Sequence, residues 1–175
     1  PDLPLCWMPM DVDNSSGGQV WVTGGAWQDL KGRLLHNSYG TCSTYLVLPE
    51  RVNGQMQGGL VRLPANYSSS AMRGRFSPVD GQLYTIGLKG WQTSAAREGG
   101  FHRVRRTSAP LDLPIALGTC DRGIYLTFSG PVDAEYGSDP ESYSIEVWNY
   151  LYSQNYGSPE LSVVDPERKR ERGKE

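Results

Sequence analysis

A chain of 175 residues with a net charge of −2 has room for one ordinary domain or two small ones, and its charge balance calls for neither nucleic acid nor an anionic membrane. No apolar run approaches the ~20 residues that cross a bilayer, so no membrane span is expected. Abundant glycine (21), with proline (12) and tyrosine (10), favours many short strands joined by tight turns over a helical bundle.

In chain order, the first distinctive stretch is the polar, glycine-rich loop Asp13–Gly18. Its consecutive amides could bind an anion, and Asp13 and Asn14 could offer oxygens to calcium. Calcium asks for more carboxylates than this, so a tight structural turn is the preferred reading. Gln19–Val22 then reads as a strand. Further strands are predicted near 33–37, 43–49, 58–63, 72–76, 82–88 and 101–106, from short apolar or alternating runs bounded by turn residues. Asn53-Gly54 supplies the positive φ angles of a type I′ hairpin. Pro78-Val79-Asp80-Gly81 is a second turn, with proline pre-setting φ and glycine accepting the left-handed position.

The strands repeat. Gly58-Gly59-Leu60-Val61-Arg62-Leu63 returns as Gly99-Gly100-Phe101-His102-Arg103-Val104, and Tyr45-Leu46-Val47-Leu48 as Tyr84-Thr85-Ile86-Gly87-Leu88. Gly32-Arg33-Leu34 resembles Gly74-Arg75-Phe76. A period of about forty residues with several strands per unit marks a β-propeller blade. Residues 1–108 are therefore expected to be the last two blades of a propeller. A closed ring needs roughly four to eight blades, so further blades are expected upstream and the chain reads as an internal piece of a larger protein.

After Arg106, Thr107-Ser108-Ala109-Pro110 reads as a linker. Residues 109–175 are expected to begin an immunoglobulin-like β-sandwich, with strands at 113–117, 123–128 and 142–150. The alternation of Tyr143, Ile145 and Val147 marks a half-buried sheet. The charged run Pro166–Glu175 is expected to be a solvated tail. Cys6, Cys42 and Cys120 lack Cys-x-x-Cys spacing, so zinc, thioredoxin-type and haem-attachment signatures are missing and no metal site is expected. A Cys6–Cys42 disulfide and buried free thiols both stand open.

Several segments resemble large secreted bacterial proteins with a glucose/sorbosone dehydrogenase-like propeller. They are residues 12–22, 32–40, Asp80-Gly81-Gln82-Leu83-Tyr84, Gly90-Trp91-Gln92-Thr93 and 99–104. The resemblance covers most of residues 5–160. It implies a periplasmic or extracellular protein that oxidises a sugar or similar alcohol. It also implies an immunoglobulin-like segment after the propeller and, in many members, a c-type cytochrome domain as electron acceptor. Pyrroloquinoline quinone and c-type haem are the implied cofactors, with the haem outside this segment because it has no Cys-x-x-Cys-His. The alternative is a non-catalytic carbohydrate- or protein-binding propeller with a spacer sandwich.

Four residues are candidates for chemistry. His36, at a strand end, could accept a proton from an alcohol at the channel mouth, with Tyr39 beside it. Trp91 offers a stacking face for a sugar or quinone, and Arg97 a guanidinium for a carboxylate. Both lie in Lys89–Gly100, where the second repeat replaces the plain hairpin of the first with a longer loop. His102, Arg62 and Arg103 read as structural.

Overall fold

The structure, a computed structural model, describes residues 3–153 and 157–171. It is all-β, with antiparallel sheets, none of them closed. The first sheet is a four-stranded meander of β1 (Ser16–Trp21), β2 (Leu34–Ser38), β3 (Ser43–Val52) and β4 (Gln55–Arg62). Between β3 and β4, Val52 pairs with Gln55 across a two-residue turn. Asn53 (φ 48°) and Gly54 (φ 87°) both take positive φ there, as a type I′ turn requires. The second sheet joins β5 (Arg73–Phe76), β6 (Leu83–Leu88) and β7 (Gly99–Val104), and a ribbon pairs β8 (Pro114–Cys120) with β9 (Gly123–Phe128).

The hairpin repeat is present in the register. Tyr45 stands opposite Arg62, and Tyr84 opposite Arg103. Upstream the match shifts, because His36 pairs with Tyr45 while Arg75 pairs with Tyr84. Arg75 thus takes the place of His36, not that of Arg33.

The packing follows a different frame, one strand out of step. β5 runs beside β1 in the same direction. Gly18 N donates to Met72 O at 2.7 Å, and Val20 meets Gly74 one step further on. Beyond the strands, Gly24 meets Phe76 and Gly81 so closely that a Cβ on Gly24 would collide with the Gly81 backbone. The β1–β2 connection therefore meets the β5–β6 turn, and at the other end the β2–β3 turn meets the β6–β7 loop.

The core lies on one face of the first sheet. Leu35, Leu46, Leu48 and Leu63 pack with Val22, Leu83 and with Trp27 and Leu30 from a short 3-10 stretch. Leu111, Leu113, Ile115 and Leu117 close over it from the β8 side. A polar clamp reinforces this contact, since Glu50 accepts from Thr119 N (2.8 Å), Thr119 Oγ1 (3.0 Å) and Gln57 (2.7 Å). The opposite face of the first sheet lies under the N-terminal strap, through Leu5, Cys6 and Met8 and a Tyr45 hydroxyl bond to Val12 O. The matching face of the second sheet is bare. Ile86 is 51% and Phe101 72% exposed, whereas Val47 in the first sheet is 5% exposed.

Because β8 belongs to this core, the chain divides into Pro1–Pro131 and Val132–Glu175 rather than at 108/109. In the second unit, the expected strand 142–150 is not formed. Residues 143–148 carry no ladder, and Tyr143 and Ile145 stay exposed. Alternation alone does not make a strand when no neighbour supplies hydrogen bonds. A short helix, α1 (Ala134–Ser138), is capped by the Asp133 carboxylate instead. The unit is organised around Arg170, which pairs with Glu160 (2.7 Å) and Glu146 (3.0 Å) and stacks on Trp148 (5.0 Å). Arg170 is buried, so the charged run is no simple solvated tail over 166–171, and its last four positions, 172–175, lie outside the described residues. All three cysteines are free thiols.

Candidate functional site

Three of the four expected site residues meet at one end of the two sheets. The turn after β2 carries Tyr39 and Gly40, and the loop 89–98 folds onto it. Ser94 N and Oγ both donate to Gly40 O at 2.9 Å. Ala96 N and Arg97 N donate to Ser68 O at 3.0 and 2.9 Å, and Asn14 Nδ2 reaches Gln92 O at 2.9 Å. Gly90 makes room for the Tyr39 hydroxyl, which a Cβ at that position would overlap. The loop is thus latched at both flanks and in the middle. Trp91 rides on it, 69% exposed, with Arg97 also exposed. An anchored loop carrying an exposed aromatic plane is what a flat ligand needs for stacking.

His36 lies below this surface and not on it. It is 5% exposed, on the strap-covered face of β2. Its Nε2 meets Asp13 Oδ2 at 2.6 Å and its Nδ1 meets Gln19 Nε2 at 3.0 Å. An ionised carboxylate only accepts, so Nε2 carries the proton. The amide nitrogen of Gln19 then donates to Nδ1 on the other side of the ring. In this arrangement His36 has no nitrogen open to a ligand at the loop end.

Asp13 is the residue that sequence reasoning placed least well. Its side chain has no solvent exposure. Oδ1 accepts from Ser38 Oγ (2.7 Å) and Ser15 N (3.0 Å), and Oδ2 from Ser16 Oγ (3.2 Å) in addition to His36. Burial alone would raise its carboxyl. The hydrogen bonds from His36, Ser38 and Ser15 outweigh that and hold it below the ordinary value. The preferred reading of the loop as a structural turn agrees with this, since both oxygens are consumed internally. The one signal in the sequence was an acidic residue just ahead of two serines, which is common in turns and names no distant partner.

A polar layer continues beneath the loops. Thr44 Oγ1 donates to Asn37 Oδ1 (2.8 Å) and meets the Tyr67 hydroxyl (2.8 Å), and His102 Nε2 meets Ser68 Oγ (3.2 Å). Burial raises the Tyr67 phenol and lowers His102. Arg103 pairs with Asp80 at 2.8 Å within its own sheet.

Clefts also lie away from the loop surface. One, about 210 Å³, lies under the strap between Leu5, Cys6, Met8, Gln19, His36 and Leu60. A larger groove of about 500 Å³ runs along Gly24–Ala26 and Phe76–Gly81 at the opposite end of the sheets. Among the described residues no group of three or more His, Cys, Asp or Glu side chains is placed to hold a metal, and no helix is long and apolar enough to cross a membrane. Comparison with known proteins found no matching family model, no matching curated protein and no matching solved structure.

Proposed function

We propose that Pro1–Pro131 supplies two neighbouring blades of a β-propeller in a secreted sugar- or alcohol-oxidising protein. The other blades, and the c-type haem that takes the electrons, belong to the rest of the parent chain. One observation carries the propeller reading: β1 and β5, the first strands of the two sheets, run side by side in the same direction. Blades arranged around a channel share that relation, each offering its first strand to the axis. The bare face of Ile86 and Phe101 is what a next blade would cover. The exposed face of β9, Ile124 and Leu126, is what an immunoglobulin-like sheet would cover.

The oxidative chemistry rests on the sequence resemblance, with pyrroloquinoline quinone as the cofactor it implies. Tyr39, Trp91 and Arg97 would line the mouth: Trp91 stacks on a sugar ring or quinone, Arg97 pairs with a carboxylate, and Tyr39 offers a hydroxyl. Asp13 and His36 support that surface from below.

A reduced-minus-oxidised visible spectrum of the parent protein is the first test, together with turnover of sugar substrates by Trp91→Ala and Arg97→Ala. A c-type haem spectrum with turnover lost in both variants supports the reading. Unchanged turnover removes the loop 89–98 from the site.

A second reading, a non-catalytic glycan-binding propeller, is favoured by the loop end itself. It offers an exposed tryptophan and, with both His36 nitrogens engaged, no open imidazole base. Glycan binding that is lost in Trp91→Ala, without any redox spectrum, distinguishes it.

A further inference from the structure

We propose that the cleft under the N-terminal strap is a binding site for a soft monovalent metal ion, Cu(I), held by the Cys6 sulfur, the Met8 thioether and His36 Nδ1. This inference is independent of the sugar-oxidation reading, because it uses neither the loop 89–98 nor a quinone.

Three observations converge on it. Cys6, Met8 and His36 line one cleft of about 210 Å³, with Leu5, Leu34, Val47 and Leu60 as its apolar walls. Thiolate, thioether and imidazole in an apolar pocket are a donor set that favours Cu(I) over hard cations such as calcium or magnesium, which take oxygen ligands. The two sulfur donors come from one short segment, Cys6-Trp7-Met8, so a single strap presents both.

The histidine is prepared for the role. Metal-binding imidazoles commonly donate their second N–H to a carboxylate, which fixes the tautomer and the ring orientation. Asp13 does this here at Nε2 (2.6 Å), from a fully buried position with further bonds from Ser38, Ser15 and Ser16. The remaining nitrogen, Nδ1, carries its lone pair, on a ring that lines the cleft. Its present partner is the neutral amide of Gln19, an exposed side chain on the edge strand β1, at 3.0 Å. Gln19 can turn to water at small cost and yield Nδ1 to a metal.

Cys6 is a free, half-buried thiol. Binding forms a Cu–S bond and releases the thiol proton to solvent. The thiolate and the cuprous ion then neutralise one another, which suits an apolar pocket better than either charge alone. No electron changes hands in this step.

The test is an anaerobic titration of the chain with Cu(I), in competition with a chromophoric Cu(I) chelator. It is run in a Cys120→Ser background, because Cys120 is an exposed thiol that would bind the metal by itself. One equivalent of Cu(I) held against the chelator, with a rise in Tm on loading, is the expected result. Cys6→Ser and Met8→Leu, each checked for an unchanged apo Tm and circular dichroism, should each lose the metal to the chelator. Cys42→Ser should retain it. Zn(II) and Ca(II) should give no comparable shift in Tm. Wild-type retention in Cys6→Ser or Met8→Leu overturns the three-donor site, as does failure of the parent chain to hold Cu(I) at all. Loss in Cys42→Ser would move the metal elsewhere and equally overturn it.

Discussion

His36 Nε2 donates to Asp13 Oδ2 at 2.6 Å, across a sheet face where neither side chain meets bulk water. Asp13 is the node that ties the loop before β1 to β2, since Ser38, Ser15 and Ser16 converge on the same carboxylate. Asp13→Ala leaves four donors without an acceptor and should destabilise the first unit by about 3 kcal/mol, the scale for leaving buried hydrogen-bonding groups unsatisfied. Urea unfolding followed by tryptophan fluorescence measures it. The folded carboxyl lies below its ordinary 3.8, so the stabilisation is complete above about that pH and is lost as acid titrates the folded-state value. The variant should therefore lose part of the parent's dependence of unfolding midpoint on pH below 4.

Asp80 tests the same logic at a turn. Its carboxylate accepts from Gln82 N at 3.0 Å and from the Tyr84 hydroxyl at 2.8 Å, and pairs with Arg103 at 2.8 Å. The backbone bond from Gln82 is the largest of the effects that lower it, to about 2. The turn is accordingly intact above pH 3.8 and loosens as pH falls toward 2. A carboxyl-resolved NMR titration should show Asp80 among the last aspartates to protonate. Tyr84→Phe should move its midpoint upward by removing one donor. An Asp80 midpoint at or above 3.8 would rule out this turn geometry.

The fold was legible where local chemistry decides it. Asn53-Gly54 could only be a tight hairpin, and the strands of the two sheets announced themselves by apolar runs between turn residues. What failed were properties set by distant partners. Ser142–Tyr150 alternates as a strand does, yet the described residues provide only the isolated bridge from Asn149 to Leu161. The ribbon Pro114–Phe128 looked like the start of a second domain, but Leu117 packs against the first sheet, and periodicity carries no such information. The candidate site divided in the same way. An interrupted repeat pointed to Trp91 and Arg97 on an exposed loop. The pairing of Asp13 with His36 spans 23 residues, and no short motif encodes it.

Gly87 shows why the second sheet depends on a close crossing. The segment Ser69–Ala71 is fully buried and passes directly over β6, where Ser70 Oγ accepts from Leu88 N and donates to Leu88 O. A Cβ at Gly87 would overlap the Ser70 carbonyl, a backbone atom that cannot swing aside. Gly87→Ala should cost about 2 kcal/mol through overpacking. Gly25→Ala is the control, because a Cβ there meets nothing within 4 Å. Its unfolding midpoint should match that of the parent. Equal behaviour of the two variants in urea would show that the crossing is looser than this packing requires.

The bare face of the second sheet gives the last prediction. Ile86 and Phe101 pair across β6 and β7, and Phe101 stacks on Tyr84 with ring centroids 5.5 Å apart. In the first sheet the same face holds Val47 and Leu60, which pair across β3 and β4 beneath the strap. An apolar face of this kind, uncovered, attracts another apolar surface. The chain on its own should bind a hydrophobic dye and self-associate with increasing concentration. Ile86→Lys combined with Phe101→Lys should suppress both, and the urea midpoint should change little because the side chains it replaces are exposed. Val47→Lys should do the opposite: it buries a charge under the strap, lowers the stability by several kcal/mol and leaves self-association in place. Sedimentation velocity across a concentration series separates the cases. A parent chain that stays monomeric and dye-free at high concentration would mean that this face needs no cover, and the argument for an adjoining blade would fall with it.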